Sequence, residues 1–190
     1  MKKIEIKEFG GPEVLEIKNV DIGKPGQNEV LVKNLSIGIN YIDTYHRSGL
    51  YPIPLPSGIG LEACSIIEEV GSEVKLFKVG DRVTRASMPI GTYSEKQIIP
   101  EDKLVKVPDN ISDEVASCIT LKGITAEYLL HRTYQVKKGD KVLFHAAAGA
   151  LGQIFCPWAN ALGAEIIGTV GSDEKNRNSQ KKWMPPCYKL

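Results

Sequence analysis

The sharpest chemical signal in the sequence is the run Ala146-Ala147-Ala148-Gly149-Ala150-Leu151-Gly152, an A-x-x-G-x-x-G pattern. Small residues at this spacing let backbone amides come close to a pyrophosphate, and a helix opening behind them turns its positive end towards the anion. The apolar Val142-Leu143-Phe144 precedes the run, and helix-compatible sequence follows it to Leu162-Gly163. That is the strand, turn and helix context a dinucleotide site requires. Alanine and glycine also pack any helix against a sheet, so a purely structural reading stays open. A second strand is expected over Glu165–Val170. An NADH site usually carries an acid at the end of this strand, to bind the ribose diol. Here Val170 is followed by Gly171 and Ser172, then Asp173, Glu174 and Lys175. A small polar turn and a lysine suit a 2′-phosphate, so NADPH is the expected cofactor. The alternative for Lys175 is a solvated helix residue.

The elements that would position this turn change character along the chain. Up to about residue 108 the sequence reads as short strands with Gly and Pro punctuation: Ile4 and Ile6 alternating with charges, Val30–Val32, Ile66–Val70, a Gly80-Asp81 turn into Val83, and Tyr93–Ile99. This pattern suggests a closed or partly closed barrel. Tyr51–Gly58 holds three prolines and reads as a rigid surface loop. Ser112, followed by Asp113 and Glu114, starts a helical stretch towards Tyr134, with a break expected near Gly123. Lys138-Gly139-Asp140 is a second Gly-Asp turn, and the following strand, helix and strand form a βαβ unit of a parallel sheet.

The 190 residues carry 24 Lys+Arg against 23 Asp+Glu, a formal charge of +1, with 42% hydrophobic residues. A balance this even, with no basic block, argues against nucleic acid or an anionic membrane as partner. No stretch approaches the ~20 apolar residues of a membrane span. The charged start Met1-Lys2-Lys3-Ile4-Glu5 does not read as a signal peptide, and the cytoplasm is the expected location. Cys64, Cys118, Cys156 and Cys187 are too scattered for metal-ligand spacing and read as reduced, mostly buried thiols. For His46, His131 and His145 a structural role is favoured over a catalytic one.

Several segments resemble the zeta-crystallin-type quinone oxidoreductases, zinc-free members of the medium-chain dehydrogenase/reductase superfamily. They are Gly10–Leu15, Gly38-Ile39-Asn40-Tyr41-Ile42-Asp43-Thr44-Tyr45, Arg47–Pro52, Leu121-Lys122-Gly123 and Phe144–Gly149. The resemblance runs from about residue 3 to Lys175. It implies a mixed fold: a GroES-like β-barrel catalytic domain over residues 1–111, then a linking helix and the βαβ start of a Rossmann nucleotide-binding domain over 112–175. Residues 176–190 depart from the family as an aberrant tail. The implied activity is transfer of a hydride, or its electrons, from NADPH to a quinone, in a family that forms homodimers. By position, Tyr41, Ile42, Asp43, Thr44 and Tyr45 line the nicotinamide side. Tyr128, Gly149, Ala150, Leu151 and Gly152 contact the cofactor further out, and Gly171, Ser172 and Lys175 its adenosine phosphate.

Zinc-dependent relatives place Cys where Asn40 stands and His where Leu61 stands, and neither residue here suits catalytic zinc. No metal site is therefore expected. A quinone is already electrophilic and needs hydrogen-bond donors as its oxygens gain charge. Asn40, Tyr45 and Tyr51 are the candidate catalytic donors; the alternative for Tyr51 is an aromatic packed on prolines.

Two features depart from the family. Pro157 falls inside the expected helix, where it removes one amide and costs ~3 kcal/mol, so a kink with partial opening is expected. The chain also offers too few residues for a complete dinucleotide sheet, including the dimer-forming strands. The tail from Asn176 has no strand or helical period. Back-translating Lys182–Leu190 in a shifted frame permits a family-like continuation, so the expectation is a frameshifted, truncated chain. An in-frame stop with no homologous coding sequence downstream would sink that idea. Two rival readings stand beside the quinone reductase: a non-catalytic remnant, and a zinc-free enone or enal reductase of the same superfamily.

Overall fold

In the computed structural model, residues 1–172 are described in full, and Cys187–Lys189 by their backbone. The chain divides into two compact units, Met1–Leu121 and Lys122–Leu190. The division falls inside a helix rather than at its start near Ser112.

The first unit is built from antiparallel strands. β3 (Glu29–Gly38) and β5 (Glu62–Val70) form the centre of a five-stranded sheet, with β7 (Lys96–Pro100), β6 (Arg82–Ala86) and β8 (Val105–Lys106) in the order β7-β3-β5-β6-β8. β1 (Lys2–Ile6) lies between β2 (Glu16–Asn19) and β4 (Ser57–Gly58) in a second sheet. Ile4 N–H donates to the Tyr93 carbonyl at 2.7 Å and Glu95 N–H to that of Lys2 at 3.0 Å, which stitches the two sheets together. Val30, Val32, Ile67, Val83, Ile99 and Leu104 form the barrel core. These are the β-branched and aliphatic residues that the strand pattern turns inward. Arg85 is 2% exposed and donates to the carbonyls of Ser87 and Pro89 and to Gln97 Oε1. Burial brings its guanidinium down to about 10.

One element of this unit was not expected. Tyr41–Ser48 forms a helix, α1, inside what reads as a run of strands. Its N-terminus follows the end of β3, where Gly38 lies against the next helix. A Cβ on Gly38 would stand 2.0 Å from the Ser117 carbonyl, so only glycine fits.

α2 (Asp113–Tyr128) starts as expected: Ser112 Oγ accepts the Val115 N–H at 3.3 Å. Arg82 clamps its first turn, with Nη2 at 2.7 Å from Asp113 Oδ1. The expected break at Gly123 does not occur. One helical glycine costs about 1 kcal/mol, which the hydrogen-bonded turns on both sides offset. The irregularity comes later, as a π-helical turn over Leu129–Thr133.

In the second unit β9 (Lys141–Phe144), α3 (Gly152–Ala161) and β10 (Glu165–Val170) form the βαβ unit, with β9 and β10 parallel. Both Gly-Asp turns are built alike. Asp81 Oδ2 accepts the Lys78 N–H at 3.0 Å, and Asp140 Oδ2 accepts that of Lys137 at 2.8 Å. The opening expected at Pro157 is absent, since α3 is continuous from Gly152 to Ala161. Phe155, Cys156 and Ala159 bury its inner face in the second core, with Ala126, Leu130 and Ile166, and that packing holds the helix across the missing amide. The tail corrects a further expectation. Cys187–Lys189 form a strand, β11, pairing in parallel with Gly168–Val170. Three residues are too few to show a period; the pairing comes from the free side of β10.

Cys64 and Cys156 are buried and Cys118 is exposed. Among the described residues, no helix is long and apolar enough to cross a membrane, and no three His, Cys, Asp or Glu side chains cluster as metal ligands.

Candidate functional site

The residues singled out by sequence fall into two groups, one in each unit. In the first, Asn40 leaves β3 with extended backbone and begins α1. Its N–H donates to Asp43 Oδ2 at 2.9 Å, the side-chain-to-backbone half of a capping box. The same carboxylate oxygen accepts the hydroxyl of Tyr93 at 2.9 Å. Burial, with the Asp43 charge beside it, pushes the Tyr93 phenol well above the usual tyrosine range. Asp43 is only 4% exposed, so its side chain faces the barrel, where it fixes the helix start.

Asn40 is also buried. Its Nδ2 donates to Glu62 Oε2 at 3.0 Å, while Glu62 Oε1 accepts the Leu121 N–H at 2.7 Å. The amide expected to serve a substrate oxygen thus already has a protein partner. Leu61, at the other position compared with zinc ligands, is a buried core residue.

The exposed part of this group is aromatic. Tyr41 and Tyr45 meet edge to face at 5.3 Å between ring centroids, and Tyr45 meets Tyr51 at 5.2 Å. Tyr51 N–H also donates to the Tyr45 carbonyl at 3.2 Å, tying the loop to the helix. Tyr51 is half exposed and rests on the rings of Tyr45 and His46. Ile42 and Thr44 are partly buried, and the Thr44 hydroxyl donates to the Tyr41 carbonyl at 2.6 Å.

Glu62 and Tyr93 were missed at the level of sequence. A lone carboxylate in the apolar run Ile59-Gly60-Leu61-Glu62-Ala63-Cys64 was the signal for the first, and the N-x-x-D spacing of Asn40 and Asp43 the signal for α1. Nothing in sequence pairs Tyr93 with Asp43.

In the second unit the turn from β9 into α3 is made by backbone. Ala147 N–H donates to the Thr169 carbonyl at 3.0 Å, Gly149 N–H to Ala146 at 2.7 Å and Gln153 N–H to Gly149 at 3.0 Å. Ala146 sits at φ 54°, a left-handed conformation uncommon for a residue with a Cβ. Gly152 is buried against the preceding turn, where a Cβ would stand 2.2 Å from the Ala147 carbonyl oxygen. Gly149 and Ala150 are exposed, and among the described residues the N–H groups of Ala150 and Leu151 have no hydrogen-bond partner. Donors left open at the start of a helix suit a phosphate. His145 Nδ1 lies 3.0 Å from Thr169 Oγ1, bracing the end of β9 against β10. Gly171 is exposed with open space around it, and Ser172 is partly buried. Tyr128 is 41% exposed at the end of α2. Lys175 lies outside the described residues.

Residues 26–109 match the alcohol dehydrogenase GroES-like domain. A quinone oxidoreductase of Pseudomonas aeruginosa is 54% identical over 177 residues, 93% of this chain and 54% of that protein. The crystal structure of Escherichia coli quinone oxidoreductase complexed with NADPH superposes with a TM-score of 0.95 at 48% identity, covering 98% of this chain and 58% of the other. A 2-haloacrylate reductase of Burkholderia sp is 46% identical over 183 residues, 93% of this chain and 55% of that protein. The chain thus spans about half the length of the relatives it matches. At these identities, with a barrel and a βαβ unit that superpose on the solved enzyme, the chain is a homologue of the quinone oxidoreductases.

Proposed function

We propose that this chain carries nucleotide-binding and quinone-facing residues of an NADPH-dependent quinone reductase that works without zinc. The observation that supports this most is the turn at Ala146–Gly152, with open amides at the start of α3, in a chain 48% identical to an enzyme solved with NADPH. Bound NADPH supplies the hydride equivalent. The N–H groups of Ala150 and Leu151 donate to the pyrophosphate, and Gly152 keeps α3 close enough for them to do so. Gly171 leaves room for the adenosine ribose, Ser172 bonds the 2′-phosphate, and Lys175 is assigned to its charge. Tyr128 packs against the cofactor further out.

Around the nicotinamide, Tyr41, Ile42, Thr44 and Tyr45 form the wall that α1 presents, and Asp43 acts by holding that helix in place. Tyr45 and Tyr51 donate hydroxyl hydrogen bonds to the quinone oxygens as negative charge grows there. Asn40, bonded to Glu62, acts by positioning the start of α1. The surroundings are cytoplasmic, and the quinone is a small molecule.

The kinship with a 2-haloacrylate reductase favours a second reading, reduction of an activated carbon–carbon double bond. NADPH oxidation by the purified chain, followed with a quinone and with 2-haloacrylate, separates the two. Faster oxidation with the quinone is expected. Preference for 2-haloacrylate would establish the second reading, and cofactor binding with neither turnover would make the chain a non-catalytic nucleotide binder.

A further inference from the structure

Among the described residues Ala146 is the only non-glycine at positive φ, at 54°. That left-handed conformation is costly for a residue with a Cβ and lasts only where the surroundings hold it. The ladder between β9 and β10 ends at Phe144 and Gly168, so His145, Ala146 and Ala147 run beyond the last paired position. Both neighbours of Ala146 still bond to one residue of β10. His145 Nδ1 lies 3.0 Å from Thr169 Oγ1, and Ala147 N–H donates to the Thr169 carbonyl at 3.0 Å. Thr169 is 6% exposed, and His145 is the partner of its hydroxyl. A buried hydroxyl without a partner is unfavourable, so each member of the pair keeps the other in place.

The grip on Ala146 extends to the phosphate side of the turn. With its φ held, the Ala146 carbonyl accepts the Gly149 N–H at 2.7 Å, and the next two amides, of Ala150 and Leu151, are those left open at the start of α3. Releasing His145 would let Ala146 relax towards an ordinary conformation, turn its carbonyl from Gly149 and move the open amides out of line. We infer that His145 and Thr169 are positioning residues for the nucleotide. They act through Ala146, and they set the affinity of the turn, an inference that rests on the cofactor role proposed above. His145 is exposed, so replacing it leaves the core of the unit undisturbed.

NADPH titration and NMR amide exchange on the full chain test this together. His145→Phe keeps a ring and removes Nδ1. It should weaken NADPH binding about three- to tenfold, the worth of one hydrogen bond, and speed exchange of the Gly149 N–H in the free chain. His145→Asn, whose amide takes the place of Nδ1, should restore most of both. Thr169→Val suits a strand and should match His145→Phe, with the double variant no weaker than either single one. Ala146→Gly removes the strain, so in its background His145→Phe should lose most of its effect. Binding indifferent to His145→Phe, or weakened equally by His145→Asn, would overturn the inference and leave the functional reading intact. No binding by the folded wild-type chain would overturn the functional reading and the affinity claim together. Gly149 exchange unchanged in His145→Phe would overturn the clamp alone.

Discussion

In the first unit Asn40 and the start of α1 are fixed by buried side chains, whereas in the second the glycine turn is fixed by its own backbone. Glu62 bonds Asn40 and the Leu121 N–H, and Asp43 bonds Asn40 N–H and Tyr93. The turn before α3 instead runs on contacts such as Ala147 N–H to Thr169 and Gly149 N–H to Ala146, and its side chains matter chiefly by being small. The first arrangement is therefore vulnerable to loss of a polar atom. The second is vulnerable to added volume.

The largest expected effect is at Glu62. Glu62→Ala removes the carboxylate that accepts from the Asn40 amide and from the Leu121 N–H, and each such loss is worth about 1–3 kcal/mol. Denaturant unfolding of the first unit should fall by about 3 kcal/mol. An unchanged midpoint would mean that side chains do not hold α1. Gly152→Val comes next. Its Cβ would collide with the Ala147 carbonyl, and overpacking of this kind costs about 1–3 kcal/mol. The turn would have to shift, and NADPH affinity should fall with it while the first unit stays intact.

Tyr93→Phe removes a single hydrogen bond and should cost about 1 kcal/mol at neutral pH. It also has a pH signature. The folded state raises the Tyr93 phenol above its unfolded value, so the stabilisation is whole below the unfolded value of about 10 and is lost as pH climbs towards the folded one. Wild-type stability should therefore fall above pH ~10 more steeply than that of Tyr93→Phe. Equal alkaline slopes would remove Tyr93 from the network. Tyr51→Phe should be the mildest, within about 0.5 kcal/mol in stability, because the ring contacts with Tyr45 and His46 survive. On the function proposed above, its effect falls on quinone turnover.

The same contrast explains what could be read from sequence. Strand β9, the turn, helix α3 and strand β10 are contiguous, and each carries its own local signal, so this βαβ unit was legible almost to the residue. Helix α1 was not. Tyr41–Ser48 sits among strand-like segments, and its start depends on Tyr93 and Glu62, 50 and 22 residues away from Asp43 and Asn40. The break at Gly123 and the opening at Pro157 were propensity arguments that tertiary packing overrode. Strand β11 was invisible because three residues show no period, and its pairing with β10 is set by the sheet.

On the function proposed above, the turn at Ala146–Gly152 holds a nucleotide in this chain. Fluorescence titration of the purified chain with NADPH and NADH, alongside Gly152→Val, tests it most directly. Micromolar binding that favours NADPH and is lost in a still-folded Gly152→Val is the expected result. No binding by a folded wild-type chain would contradict the claim.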